Sequence, residues 1–339
     1  MTQGKNKLIK FGLTILVGVL LFNLLSIAPN SKPQISETIK GVWVTHVGNS
    51  LLTYTGRLDN VFHHLSQQNF NTVYVDVYNR GTTYPSNYAP RNKLVSLPLR
   101  DPLQAAITQG MRQGLNIYAW YEYGMMVLPQ DTIAQQHPDW LLSTNKGKQF
   151  IEQHLWLNPS HPEVRQYFVD LFTEVAIKYP NLYGIQLDDH WGIPIVFGNQ
   201  TQAMTELTRL VVTAIRQANP NLIISLSPNP YQFSLKKYSL DWLQWLKEDL
   251  FDELVMQIYR IDSNSVRNSI VNSGIKDAKQ YVKVAVGIFA GGEPQLKSFT
   301  EITKQIEVVK EFGYGYSVFC WEYTSTVLRR IIYFVRSIR

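Results

Sequence analysis

Asp76, Glu122 and Asp188 stand toward the C-terminal ends of three β-rich runs, TVYVDVYNR (72–80), NIYAWYEYG (116–124) and YGIQLDDHW (183–191). In a parallel strand covered by helices, the aliphatic positions face the helices and the intervening positions face the other way. Val73, Val75 and Val77 then face out, as do Ile117, Ala119, Ile185 and Leu187. Tyr74, Asp76 and Tyr78 face in, with Tyr118, Trp120 and Glu122 from the second run and Gln186 and Asp188 from the third. Three neighbouring strands thus aim a carboxyl group into one interior. Acids there are costly unless solvated, paired or used. Glycosidic cleavage needs two carboxyl groups flanking the bond, one as acid and one as base or nucleophile. Adjacent acids such as Asp188 and Asp189 also repel, which raises one pKa and keeps a general acid protonated near neutrality.

Asp188 is the first catalytic candidate. Successive strand residues point to opposite faces, so Asp189 turns along the rim toward substrate or caps the following loop. Glu122 is the second catalytic carboxyl, or else pairs with Arg80. Asp76 sits deeper and anchors a polar network. Glu322 ends the last run, where WEYTS turns toward a helix, and Glu293 in AGGEP lies on a rim loop. Trp43, Tyr78, Trp120, Tyr121, Trp191, Tyr259 and Trp321 crowd the same ends. Each alone fits core packing, but together they suit a groove in which sugar C–H faces stack on flat rings. Asn229, Gln257, Arg80, His46 and His190 are placed to offer hydrogen bonds to hydroxyl or acetamido groups.

Other chemistries find less support. Asp188-Asp189-His190 invites a metal, but consecutive strand residues diverge and no HxH or HExxH accompanies them, so neither metal nor cofactor is expected. His63 and His64 fall on a helix, and His161 on a loop or first turn. No Gly-x-Ser-x-Gly elbow is present. Cys320 is the only cysteine, which rules out an intramolecular disulfide and a paired-thiolate zinc site.

The elements that must position these acids recur. Eight β-rich runs, 41–47, 72–80, 116–124, 183–191, 222–230, 253–260, 282–291 and 316–323, alternate with helical stretches. The helices fit 57–69, 101–113, 160–178, 201–218, 239–250, 264–280, 299–312 and 323–338. Asp101-Pro102 reads as a cap with Pro at the first helical position, and Ser160 as a cap with Glu163 following. Regular β-then-α alternation means parallel strands, and eight units close into a (β/α)8 barrel, an α/β fold. An open doubly wound sheet is the alternative, but no glycine-rich phosphate loop follows any strand. About sixty residues separate the third and fourth runs, and most of them read as a long loop on the C-terminal rim.

Hydrophobic residues make up 45% of the 339, enough for one large core. Lys5, Lys7 and Lys10 lead into FGLTILVGVLLFNLLSIA (11–28), the layout of a secretory signal with Ser26-Ile27-Ala28 as a cleavage site, or of an uncleaved membrane anchor. The expected organisation is therefore signal or anchor 1–28, linker 29–39 and barrel 40–339, exported to the periplasm or beyond. Beyond residue 28 the chain holds 29 basic against 26 acidic residues, a net +3, and nucleic-acid binding is not expected.

On GVWVTHVGNS, TVYVDVYNRG, NIYAWYEYG, HPDWLL with LNPSHPEVR, and above all GIQLDDHWGIP, the chain resembles glycosyl hydrolase-like family 10 over roughly residues 40–325. The resemblance implies an exported barrel acting on glycans, with peptidoglycan-type chains as a substrate class, and places the family's Asp-Asp pair on Asp188 and Asp189. That family often has Tyr after the pair, where this chain has His190 and then Trp191. The expected function is a glycosidase. Its rivals are a non-catalytic carbohydrate-binding barrel and a metal-dependent hydrolase or deacetylase.

Overall fold

The alternating aliphatic residues become the outer wall of a closed barrel. The computed structural model describes residues 28–33, 36–93, 95–96, 100–292 and 295–325. Its barrel strands are β1 Lys40–Val44, β2 Thr72–Asp76, β3 Asn116–Tyr121, β4 Gly184–Asp188, β5 Ile223–Ser227, β6 Glu253–Gln257, β7 Lys283–Phe289 and β8 Gly315–Phe319. One overlaps each expected run. Neighbours pair in parallel, and β8 closes on β1 with Lys40 opposite Tyr316.

The outer layer is built from α1 His46–Thr55, α2 Leu58–Gln67, α3 Pro102–Gln113, α4 Pro162–Lys178, α5 Thr201–Ala218, α6 Tyr231–Tyr238, α7 Trp242–Lys247, α8 Ser263–Val271 and α9 Phe299–Glu311. The Asp101 side chain caps α3 by accepting from the Gln104 amide, and Gly114 ends it at φ 65°. The cap of α4 is His161, accepting from the Glu163 amide, not Ser160. Helix α1 was not expected. The β-rich run 41–47 stops at Val44, because Thr45 accepts from the Gly48 amide and starts a helix. The sixty-residue rim segment is also more ordered than a loop. It holds a helix, Thr132–Gln136, and a ribbon pairing Met126–Val127 with Leu155–Trp156.

Inside the barrel, Trp43, Tyr74, Tyr118 and Trp120 form a core separate from the larger one under the helices. Two of its polar atoms bond across the barrel: Trp43 Nε1 donates to Gln186 at 2.7 Å, and Tyr118 Oη donates to Glu253 at 2.6 Å. These rings fill the lower barrel, so chemistry is confined to the C-terminal mouth.

The stretch expected as a linker is tied down at its start. The Ala28 amide donates to Asp59 at 2.8 Å, and Ser31 Oγ donates to Gln113 at 2.8 Å. The rest of the expected signal or anchor lies outside the described residues, as do Glu293 and most of the helix expected over 323–338. Among the described residues, no helix is long and apolar enough to cross a membrane. Outside β1 and β8, a groove of about 1140 Å³ is lined by Val42, Leu65, Ile302, Val318 and Trp321 among others.

Candidate active site

Strand ends deliver the acids. Asp188, the last residue of β4, is 4% exposed and accepts three hydrogen bonds. Trp120 Nε1 donates from β3 at 3.1 Å, Gln257 Nε2 from β6 at 2.5 Å, and the Asp189 amide at 2.9 Å. Burial, the Asp189 charge and Glu122 push its carboxyl well above the usual range, while the Asp189 amide and Trp120 pull it down. Asp189 lies half-buried, accepting from Asn229 Nδ2 at 2.6 Å, with His190 at 3.4 Å.

Glu122 follows β3 and is held by Asn79 Nδ2 at 2.5 Å. Burial, the charge of Asp76 and a hydrogen bond with Asp76 raise it well above the ordinary range, and Asp189 adds to the rise. A hydrogen bond between two carboxyl groups requires a proton between them. Asp76, fully buried at the end of β2, accepts from donors on its other contacts: His46 Nδ1 at 2.7 Å and the Tyr78 amide at 3.1 Å. Burial and the neighbouring charge of Asp76 therefore favour the protonated form of Glu122. His46 is lowered by burial, but its hydrogen bond to Asp76 and the charges of Asp76 and Glu322 outweigh this and raise it. Asp76→Asn removes the charge that holds the Glu122 proton. The alkaline limb of a pH–activity profile is expected to move to lower pH in that variant, and an unmoved limb would deny the coupling.

Tyr259 closes the mouth on the β6 side, its ring 5.4 Å from Phe289 and 5.7 Å from Phe319. Burial and then the Asp188 charge raise its phenol well above the usual value, so it stays a neutral donor. Trp120 meets Phe319 edge-on at 6.0 Å. Phe289 and Phe319 were missed in the sequence, although the same alternation, with Ile288 and Val318 facing out, turns both inward.

Several expected site residues lie elsewhere. Asp76 Oδ1 accepts from the Tyr78 amide two residues on, which ends β2 and turns Tyr78 outward onto Tyr121 and Tyr167. Trp191 does not reach the mouth. The chain reverses after β4 through a Trp191 amide to Asp188 carbonyl bond, and the ring packs 5.0 Å from Phe168 while donating to Thr208. Trp191→Ala is expected to cost about 3–5 kcal/mol in urea unfolding, and an unchanged midpoint would contradict this placement. Trp321 starts a short helix beyond β8 and lines the outer groove. Glu322 accepts from the Thr45 amide and hydroxyl at 2.9 and 2.6 Å, so it fixes the start of α1, which carries His46. Arg80 pairs with Asp131 at 3.3 Å rather than with Glu122. Gln257 and Asn229 are at the mouth, each bonded to one of the paired aspartates.

The expectation that Asp188, Asp189 and His190 diverge also needs correction. The strand ends at Asp188, and one ligand atom from each of the three residues comes within 4.8 Å of the others. His46, Asp76 and Glu122 form a second group of this kind. Both donor sets, carboxylate oxygen with imidazole nitrogen, suit a divalent ion. Gly124 lets the His190 turn approach, since a Cβ there would lie 2.5 Å from the His190 carbonyl oxygen.

Glycosyl hydrolase DigH of Escherichia coli (strain K12) is 26% identical over 201 residues, covering 48% of this chain and 44% of that protein. The chain thus spans less than half the length of that relative. Among solved structures, an α-galactosidase from Geobacillus stearothermophilus in complex with raffinose superimposes with a TM-score of 0.58 at 14% identity, covering 87% of this chain and 40% of that one. An endo-β-1,4-mannanase from Thermotoga petrophila gives 0.55 at 12% identity, covering 85% and 68%. These two likenesses concern the barrel fold. The family description Glycosyl hydrolase-like 10 matches residues 38–209 and 200–307, and with the paired acids of GIQLDDHWGIP at the barrel mouth, the chain belongs to that family.

Proposed function

We propose that the protein is an exported glycoside hydrolase that cleaves a polymeric glycan of the cell envelope or its surroundings, peptidoglycan-type strands included. The observation that carries this reading is the convergence of Asp76, Glu122, Asp188 and Asp189 in one mouth bordered by Trp120, Tyr259 and Phe319. Glu122 gives its proton to the glycosidic oxygen as the bond to the anomeric carbon breaks. Asp188, which accepts from Trp120, Gln257 and the Asp189 amide, is the partner that faces the positive charge developing at that carbon. Water supplies the new hydroxyl on the anomeric carbon, and its remaining proton returns to the carboxyl pair. Gln257 and Tyr259 hold Asp188 and the sugar in register. Residues 11–28 would direct export and, if retained, keep the barrel at a membrane surface.

The protein lacking its first 27 residues should release new reducing ends from at least one of a panel of bacterial glycans, stripped peptidoglycan strands among them. Binding without release from every member would leave a carbohydrate-binding barrel instead. The converging ligand atoms of Asp188, Asp189 and His190 favour a second reading, a metal-dependent hydrolase. Exhaustive chelation separates the two, since acid–base glycoside cleavage survives it and metal-assisted hydrolysis does not.

A further inference from the structure

A string of rings leaves the mouth on the side of the rim ribbon. Tyr123, next to Glu122, lies 5.7 Å from His154, which lies 6.5 Å from Trp156. Trp156 lies 6.4 Å from Tyr238, and Tyr238 lies 5.7 Å from Phe233. Trp156 is buried beneath the others, Tyr123, His154 and Tyr238 are half-buried, and Phe233 is 46% exposed. Folding does not call for this: single exposed apolar residues are ordinary, but a connected row crossing from one rim segment to another is not.

The row begins beside the acid cluster, and the helix that carries its outer end follows it in the chain. Burial and then the Glu122 charge raise the Tyr123 phenol to about 12. Tyr238 and Phe233 sit on α6, which begins just after the Asn229 that holds Asp189. Polar atoms accompany the outer rings. Tyr238 Oη donates to Glu152 at 2.8 Å, and Lys237 Nζ is 3.1 Å from the same carboxylate and 4.8 Å from the Tyr238 ring centre. Flat rings flanked by a charged donor and an acceptor are what the apolar faces and edge hydroxyls of successive sugars require.

We infer that Tyr123, His154, Tyr238 and Phe233 form an extended binding track for a glycan chain several sugars long, running outward from the bond that is cut. The inference rests on the glycoside hydrolase reading for the position of that bond, and it makes the substrate a polymer rather than a disaccharide.

The test compares wild type, Phe233→Ala and the Phe233→Ala/Tyr238→Ala double variant on long strands and on two- or three-sugar fragments of the same glycan. The double variant is expected to lose about tenfold in kcat/KM on long strands and nothing on fragments, with a native circular dichroism spectrum at the assay temperature. Retardation in native gels containing the polymer, with Asp188→Asn in every protein so that nothing is cut, should fall in parallel. Equal losses on long and short substrates, or undiminished retardation in the double variant, would overturn the track. If wild type cuts nothing but the double variant still loses retardation, the track stands and the hydrolase reading falls.

Discussion

Asp188→Asn is expected to lower glycan cleavage by at least ~10³-fold while leaving glycan binding in place. The size follows from the position of this side chain. It is the most enclosed carboxyl of the paired aspartates, and three donors from β3, β6 and its own turn aim at it. An amide keeps the shape but carries no charge to face a sugar cation, and its own NH₂ meets donors where the carboxylate met acceptable partners. Some stability is therefore lost, and circular dichroism with a melting curve must accompany the kinetics. A variant that is folded, binds glycan and retains more than a tenth of wild-type activity would remove Asp188 from the reaction.

Glu122→Gln should cost roughly 10²–10⁴-fold on natural glycans, and most of that loss should vanish on aryl glycosides whose leaving group needs no proton. This substrate dependence separates an acid catalyst from a residue that only shapes the mouth, because a shape defect lowers both rates alike. Gln suits the site. Its oxygen can accept from Asn79 and its amide can donate to Asp76, which are the contacts of a protonated Glu. The stability consequence has a definite sign. Glu122 is held above the ordinary carboxyl range, so the folded protein keeps a proton that the unfolded chain releases. Stability then falls as pH rises from the unfolded value through the folded one. Gln carries no such proton, so the variant should melt with wild type in acid and above it in alkali. The reverse order would mean that Glu122 is ionised and paired in the native state.

Alternation carried most of the fold. Val73 and Val75, Ile117 and Ala119, and Ile185 and Leu187 do face the helices, and their neighbours Tyr74, Trp120 and Asp188 do face the interior. What alternation could not convey was where each strand stops. Tyr78 and Trp321 have the right parity for the mouth, and Trp191 follows the paired aspartates closely, yet each lies beyond the last strand residue, after a turn has reset the direction of the side chains. Asp76 ends its own strand by accepting from the Tyr78 amide, and Thr45 does the same for β1 by capping α1. These are single side-chain hydrogen bonds with little periodic signature. The partners of the acids were harder still to foresee. Asn79 holding Glu122, Glu322 holding Thr45 and His46 holding Asp76 join segments far apart in the chain, and only closure of the barrel brings them together. Phe289 and Phe319 were within reach of the same rule, because Ile288 and Val318 fix their parity.

The most direct measurement is isotope incorporation during turnover. Glycan strands incubated with wild type, Glu122→Gln and Asp188→Asn in oxygen-labelled water are examined by mass spectrometry. Hydrolysis by the acids of the barrel mouth predicts product strands with one labelled oxygen at each new reducing end from wild type, sharply reduced in both variants. Labelled ends appearing at the wild-type rate from either variant, or intact strands from folded wild-type protein on every glycan tried, would contradict it.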